Sequence, residues 1–575
     1  MRSLAAALVA LLLASACGGS SDTVAPTVTA TPTTAEVTTT AAPESPSAPS
    51  PTAGPDPLSE TASHELDQAF VAAVKDFIAT EWADWPDGMI LGECLAANAS
   101  LIGAPAKQGV IDHGLEKVYD NISQTDSSSL GTVWNDCETV VASSKAEIAA
   151  AAVENRPDPL TFVPSTAYAS FPAGIEAAFQ DAVDTEFSAT PEKAGISVAV
   201  FNDDMLWTYA SGFASSTAEM TPNTPSRIWS SSKVFMGALI LNQIEQGLFE
   251  LGDSLESVLS DHPDYPSIDP AVYNPAVTVE EMLRMRSGIA QRDFENPPEG
   301  AYLIYSNPDW KPVDVLGLLE DPWGEPGSFS YSNLNSVLLG LVAEHHGGQD
   351  LNVLYQDTLF EPLGITIGLT PRDGVPLDTA RPYAQLGPWG EHYGLDLSGF
   401  GDRIEAEIAV GWEDHPTDWH IGQGKITWAA AGGFSTAENM ARWAYELFSH
   451  NGSAISESNR ALLLNSFGTE LVDIEGRMQY YGYQATKSDV ILEDGTVVTA
   501  YGHPGGAVNW KGTDISKLAY SPELDLSVSV LTNSPLSGHG ACPDHSADES
   551  QRFGTQLCVI QEILKAYASS AQGAE

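Results

Sequence analysis

The hydrophobic pattern changes character several times along the chain. Leu4 to Leu13 form one continuous apolar run, preceded by Arg2 and followed by the small residues Ala14, Ser15 and Ala16 before Cys17. The run is too short to span a bilayer, and its basic start and small-residue end predict an export signal over residues 1–17. From 18 to 60 periodicity disappears. Pro, Thr, Ser and Ala dominate and aromatics are absent, so this stretch cannot bury a core and is expected to be a disordered stalk. Apolar positions return at helical spacing in "HELDQAFVAAVKDFIATEW", and "SSKAEIAAAAVEN" is strongly helix-favouring. These predict a small helical domain over 61–157, in which no catalytic constellation is visible.

Beyond "RPDPLTFVP" a larger domain, 160–575, mixes both periods. "GISVAVFNDDMLWTYASGFA" reads as two strands around Asn202-Asp203-Asp204, and "KVFMGALILNQIEQGLFEL" as a helix. Near the end, "SKLAYSPELDLSVSVLTNS" predicts a second strand pair turning at Pro522-Glu523, then a helix from about Ser550 to Tyr567. Strands at both ends with helices between them predict one sheet assembled from distant segments, with a helical region beside it.

Charge narrows the function classes. The 77 acidic residues outweigh 25 basic ones, a formal net charge of −52. A phosphate backbone would be repelled, so nucleic-acid binding is excluded. The acidity reads as a solvated surface, or more sharply as adaptation to a saline medium. Cys17 stands where a bacterial lipobox places its lipidated cysteine, with Ala14 in the place of the usual larger apolar residue; a plain secretory signal is the alternative. Of the remaining cysteines, Cys94, Cys137, Cys542 and Cys558, the economical pairing in an exported chain is Cys94–Cys137 and Cys542–Cys558. No two have a CxxC spacing, so a metal site is disfavoured.

Three motifs carry candidate chemistry. In "SRIWSSSKVFMG" only Ser230 lies three residues before Lys233. On a helix these share a face, so a lysine could take the serine proton and make a nucleophile. "GSFSYSNLNSVLLGLVAEHHG" contains Tyr331-Ser332-Asn333, in which Tyr331 can serve as a second proton carrier and Asn333 can donate to a substrate amide, with a helix beginning near Asn335. "AYGHPGGAVNWKG" supplies His503-Pro504-Gly505-Gly506, whose glycines allow close approach of a carbonyl and a backbone N–H for an oxyanion. In isolation each has a structural reading: a serine-rich N-cap, a buried tyrosine beside an Asn cap, a tight turn.

Taken in order, Ser-x-x-Lys, Tyr-x-Asn and His-x-Gly resemble the serine hydrolases of the class C β-lactamase and DD-peptidase family. "VTVEEMLRMRSGI" is similar to the family's helix and Ser-Gly turn, with Met285-Arg286 in place of the usual His-Thr. "YSNLNSVLLGLVAEHHGG" and "AAGGFSTAENMARWAYEL" are similar to other family segments, and the resemblance spans roughly 165–575. It implies an α/β (α+β) fold with an antiparallel sheet flanked by helices and an all-helical region. It also implies Ser230 as acylated nucleophile, Lys233 as its activator, Tyr331 as proton relay and Asn333 as amide binder, with the N–H groups of Ser230 and Gly506 as the oxyanion hole. His503 stands where β-lactamases of this class usually carry Lys, a form found in some DD-peptidases and esterases. A neutral imidazole anchors a substrate carboxylate less well than an ammonium, and Pro504 removes the hydroxyl and N–H that Thr would offer.

Lys511-Gly512-Thr513 only scrambles a Lys-Thr-Gly triplet, and His345-His346 read as helix-end histidines rather than metal ligands. The aromatic and Gly-rich segment from about Pro371 to Gly424 is expected to form a loop region over the pocket. The sequence therefore predicts an extracytoplasmic, lipid-anchored serine hydrolase without cofactor or metal. It would act through an acyl-enzyme on a small-molecule or peptide amide or ester. The alternatives are a true class C-type β-lactamase and a penicillin-binding-like protein that does not turn over.

Overall fold

A computed structural model describes residues 60–81, 86–115, 129–135, 158–188, 194–290, 310–382, 416–533 and 554–572, apart from scattered positions within these ranges, and isolated residues such as Cys137. The strands are β1 Gly195–Phe201, β2 Leu206–Gly212, β3 Ser226–Arg227, β4 Ile367–Leu369, β5 Gly433–Ser435, β6 Val472–Ile474, β7 Arg477–Tyr481, β8 Thr486–Ile491, β9 Val497–Asn509, β10 Gly512–Ser521 and β11 Leu526–Thr532. The longer helices are α1 Glu60–Glu81, α2 Pro86–Ala97, α3 Ala104–His113, α4 Ala173–Phe187, α5 Lys233–Glu245, α6 Asn333–Gly347, α7 Pro416–Ala431, α8 Ala437–Phe448, α9 Glu457–Asn465 and α10 Gly554–Gln572.

The larger sheet has the order β2-β1-β11-β10-β9-β8-β7-β6, and its pairings are antiparallel. Strands far apart in sequence lie side by side in it, since β1 pairs with β11 from Ile196↔Thr532 to Phe201↔Ser527. The largely apolar character of β1 follows from burial on both faces, while the equally buried β11 carries Ser527 and Ser529 among its apolar residues. Ile196, Val198, Val200, Val528 and Val530 point into a core with Phe179 and Val183 of α4 and Val559, Ile560, Ile563 and Leu564 of α10. The alternate residues Ala199, Phe201 and Leu531 join the other core, which α5, α6 and α8 complete. The expected turn between β1 and β2 is held by Asn202, whose Oδ1 accepts from the N–H groups of Asp204 and Met205. A smaller sheet, β3-β5-β4, lies in the helical half.

In the N-terminal segment, α1, α2 and α3 contribute Phe70, Val74, Leu91, Leu95, Ala106 and Val110 to a separate core with Val133 and Cys137. The predicted Cys94–Cys137 disulfide is formed. Cys558 is also disulfide-bonded, and its expected partner Cys542 lies outside the described residues, as do Cys17, "SSKAEIAAAAVEN" and 383–415 of the predicted loop region. Among the described residues no helix is long and apolar enough to cross a membrane.

Candidate active site

The strand β3 pairs with β5 through Ser226↔Ser435 and Arg227↔Phe434, and Ile228 extends the ladder by donating to the Gly433 carbonyl at 3.0 Å. At Trp229 the backbone enters the left-handed region, φ 46°. A bulky L-residue there is strained by about 1–2 kcal/mol, and it turns the chain sharply into a 3-10 turn, Trp229–Ser232, that runs into α5. The expected α-helical start at Ser230 is thus replaced by a tighter turn. Residues three apart eclipse in a 3-10 turn, and Lys233 Nζ donates to Ser230 Oγ at 3.0 Å.

Lys233 is fully buried. Its Nζ also donates to Asn333 Oδ1 at 2.6 Å and to the Ala430 carbonyl at 3.0 Å. An ammonium would donate to all three, whereas a neutral amine would donate to Asn333 and Ala430 and turn its lone pair toward the Ser230 hydroxyl. Ala430 reaches this position because α7 breaks at Trp428, where φ is 31° and ψ −116°.

The sequence spacing singles out Ser230 and gives Ser231 and Ser232 no role; the structure supplies one. Ser231 Oγ donates to the His503 carbonyl at 2.9 Å and lies 2.8 Å from Ser516 Oγ, while Ser232 Oγ accepts from Gly433 N–H at 3.1 Å. They fasten the turn carrying Ser230 to β9, β10 and β5. All three hydroxyls are buried, so each requires a partner, and the two beside Ser230 find theirs in the neighbouring strands.

The Tyr331 motif lies beside the lysine. Ser332 Oγ donates to the Ala290 carbonyl at 2.9 Å, and α6 begins at Asn333, two residues before the expected start. Lys233 Nζ lies 5.0 Å from the centroid of the Tyr331 ring. Asn333 gives its Oδ1 to the lysine, a contact the sequence reading did not foresee; a donor role toward substrate would fall to Nδ2.

His503 lies within β9, not in a tight turn, and is fully buried. Burial, then the charge of Lys233, push its pKa well below the usual histidine value; Lys517 adds to this and the Pro504 carbonyl opposes it. The imidazole is therefore neutral, with Nδ1 donating to the Pro504 carbonyl and Nε2 accepting from Tyr481 Oη at 3.5 Å. Tyr481 escaped the sequence reading. It packs edge-on to Tyr331 at 6.1 Å and to His503 at 5.8 Å between ring centroids, and its only sequence signal is aromatic enrichment in "RMQYYGY".

Gly505 faces the 3-10 turn so closely that a Cβ would collide with the Ile228 carbonyl and stand 2.6 Å from Ser516 Oγ and 2.8 Å from Ser231 N. The adjacent Gly506 pairs with Ile515 of β10. Ser230, Lys233, Tyr331, Asn333 and His503 thus converge from the 3-10 turn, α5, α6 with the residues before it, and β9. His345 and His346 lie in the last turn of α6, where His346 Nε2 meets the Val258 carbonyl at 2.9 Å. Among the described residues no group of His, Cys, Asp and Glu is arranged to hold a metal ion.

Comparison with solved structures places this fold beside D-amino acid amidase from Ochrobactrum anthropi SV3. Its D-phenylalanine complex matches with a TM-score of 0.53 and 20% identity over 69% of this chain and 99% of that one. Its L-phenylalanine amide complex matches with a TM-score of 0.52 and 18% identity over 69% and 100%. A penicillin binding protein from Bacillus halodurans matches with a TM-score of 0.45 and 18% identity over 68% and 100%. At these identities the likeness is one of fold. The family model described as Beta-lactamase matches residues 181–551, more than half of the chain, and the protein belongs to that family.

Proposed function

We propose that this protein is a serine hydrolase that acts through an acyl-enzyme on an amide or ester, with DD-peptidase-like or esterase activity in preference to efficient β-lactam hydrolysis. The observation that carries this reading is the 3.0 Å contact between Lys233 Nζ and Ser230 Oγ inside a buried site. In this reading Ser230 Oγ attacks the substrate carbonyl carbon. Its proton passes to Lys233 in the neutral form, or on to Tyr331 beside it. The oxyanion is held by the N–H groups of Ser230 and Gly506, and collapse breaks the bond to the leaving amine or alcohol, which receives a proton through Tyr331. Water then attacks the acyl-enzyme and restores Ser230. Asn333 orients the lysine and the substrate amide.

The neutral, buried His503 bears on the substrate class. Without a fixed positive charge at that position, the site lacks the ammonium that would anchor the carboxylate of a β-lactam. An amide or ester with no carboxylate beside the reacting bond suits it better, so an ester or simple amide is favoured over a D-Ala-D-Ala peptide, which carries one, and L-phenylalanine amide is what the complex of the fold-sharing amidase contains. We further read the chain as exported by residues 1–17 and held at the membrane through a lipidated Cys17.

Ser230 is tested by incubation with a fluorescent fluorophosphonate and a fluorescent penicillin. The wild type is expected to be labelled and Ser230→Ala to lose the label. An unlabelled wild type would sink the nucleophile assignment. Turnover of short acyl esters and D-Ala-D-Ala peptides, against nitrocefin, then separates hydrolase, β-lactamase and non-turnover binding.

A further inference from the structure

Two tryptophans hold left-handed backbone on either side of the Ser230–Lys233 contact: Trp229, directly before the nucleophile, and Trp428, two residues before the lysine's acceptor Ala430. A residue with so large a side chain takes this conformation only where its surroundings impose it. At Trp428 the cause is visible. Gly340 of α6 has no Cβ, and one placed there would stand 2.6 Å from the indole, so the ring sits against bare backbone while Gly432 N–H donates to the Trp428 carbonyl at 2.7 Å.

At Trp229 the surroundings are Arg227. Its guanidinium carbon lies 3.8 Å from the indole centroid, and its Nη2 donates to the Ala431 carbonyl at 3.4 Å. The guanidinium is buried, 2% exposed, and Trp229 also packs against Ala431. Ala431 follows Ala430, whose carbonyl receives Lys233 Nζ. A single planar cation therefore joins the residue before the nucleophile to the residue after the lysine's acceptor. We infer that Arg227 is a positioning residue for acylation, fixing the Ser230 hydroxyl and the Lys233 amine relative to one another through Trp229 and Ala431. The inference rests on the serine-hydrolase reading of Ser230.

Lysine cannot replace it. An ammonium on a flexible stem carries the charge but neither stacks as a plane on indole nor directs a second donor sideways to Ala431. Loss of the brace lets the turn relax toward ordinary backbone and draws Oγ away from its line of attack, an effect on the chemical step rather than on probe binding.

The experiment measures fluorophosphonate labelling of the full chain against probe concentration, separating the maximal labelling rate from the concentration giving half of it. Arg227→Lys and Arg227→Met are expected to lower the maximal rate by about 10- to 100-fold with the half-saturating concentration little changed. Val183→Ala, in the core on the other face of the sheet, controls for destabilisation alone and is expected to label as the wild type does. An Arg227→Lys rate within about twofold of wild type overturns the inference, as does an equal fall in Val183→Ala. If the Arg227 variants do not fold, Trp229→Gly decides. Glycine takes the left-handed backbone without strain, so a role in folding alone predicts a retained rate, and positioning predicts a fall. A wild type that does not label removes the Ser230 reading together with this inference; a labelled wild type with an unaffected Arg227→Lys removes only the latter.

Discussion

Burial pushes the Glu344 carboxyl up to about 7, against the opposing hydrogen bond from Leu351 N–H and the charge of Arg372. Its Oε1 accepts that N–H at 2.8 Å. The folded state therefore holds a proton that the unfolded chain has already released above about 4.5, so this residue's contribution to stability is present at low pH and lost as pH rises to about 7. His503 has the opposite sign. Its folded-state pKa is depressed, so the unfolded chain takes up a proton below about 6.5 that the folded site refuses, and stability falls as pH falls. Glu344→Gln keeps the acceptor for Leu351 and removes the charge. It is expected to be more stable than wild type at pH 8, by on the order of 2 kcal/mol after allowing for residual exposure, and equal at pH 4.5. Denaturant unfolding at the two pH values measures this, and an equal difference at both would refute it. Neither residue's environment was legible in the sequence, because each depends on what distant elements pack around it.

The element that decides the site is the 3-10 turn Trp229–Ser232 lying against β9. Its closeness to the strand requires glycine at 505, where any Cβ meets backbone at Ile228 and Ser231 that cannot swing aside. Gly505→Ala is expected to destabilise by about 1–3 kcal/mol and to slow labelling of Ser230 by tenfold or more, since relief of the clash must move the turn that carries it. Thermal unfolding and labelling rates check both parts; a stable variant labelling at the wild-type rate would show that the turn is free to move. The sequence marked these glycines as a place of close approach and marked the helices and the two strand pairs through their periods. It did not reveal that Ser231 and Ser232 are fasteners, that β9 rather than a turn carries His503, or that Tyr481 packs against both Tyr331 and His503. Those depend on which strand lies beside which, and local periodicity carries no such information.

At the scale of the whole molecule, the sheet joins strands more than 300 residues apart, as Ile196 pairs with Thr532. The folded hydrolase is read as tethered by residues that precede it. Cys17→Ser is expected to abolish incorporation of an alkyne-tagged fatty acid and to release the protein from the membrane fraction of a bacterial host. Tagging that persists in Cys17→Ser would disprove the anchor. What the sequence by itself determined were properties that short stretches carry: the apolar run over 4–13, the Pro-, Thr- and Ser-rich composition of 18–60, the acidic charge, the strand and helix periods, and three motifs whose order resembles the family. What only the tertiary structure decided was how those motifs meet. Lys233 Nζ is shared among Ser230, Asn333 and Ala430, and the His503 pKa is held well below its usual value because its surroundings exclude water and supply like charge. Both are effects of distance and burial between segments 100 or more residues apart, and such distances are set by the packing of the whole core.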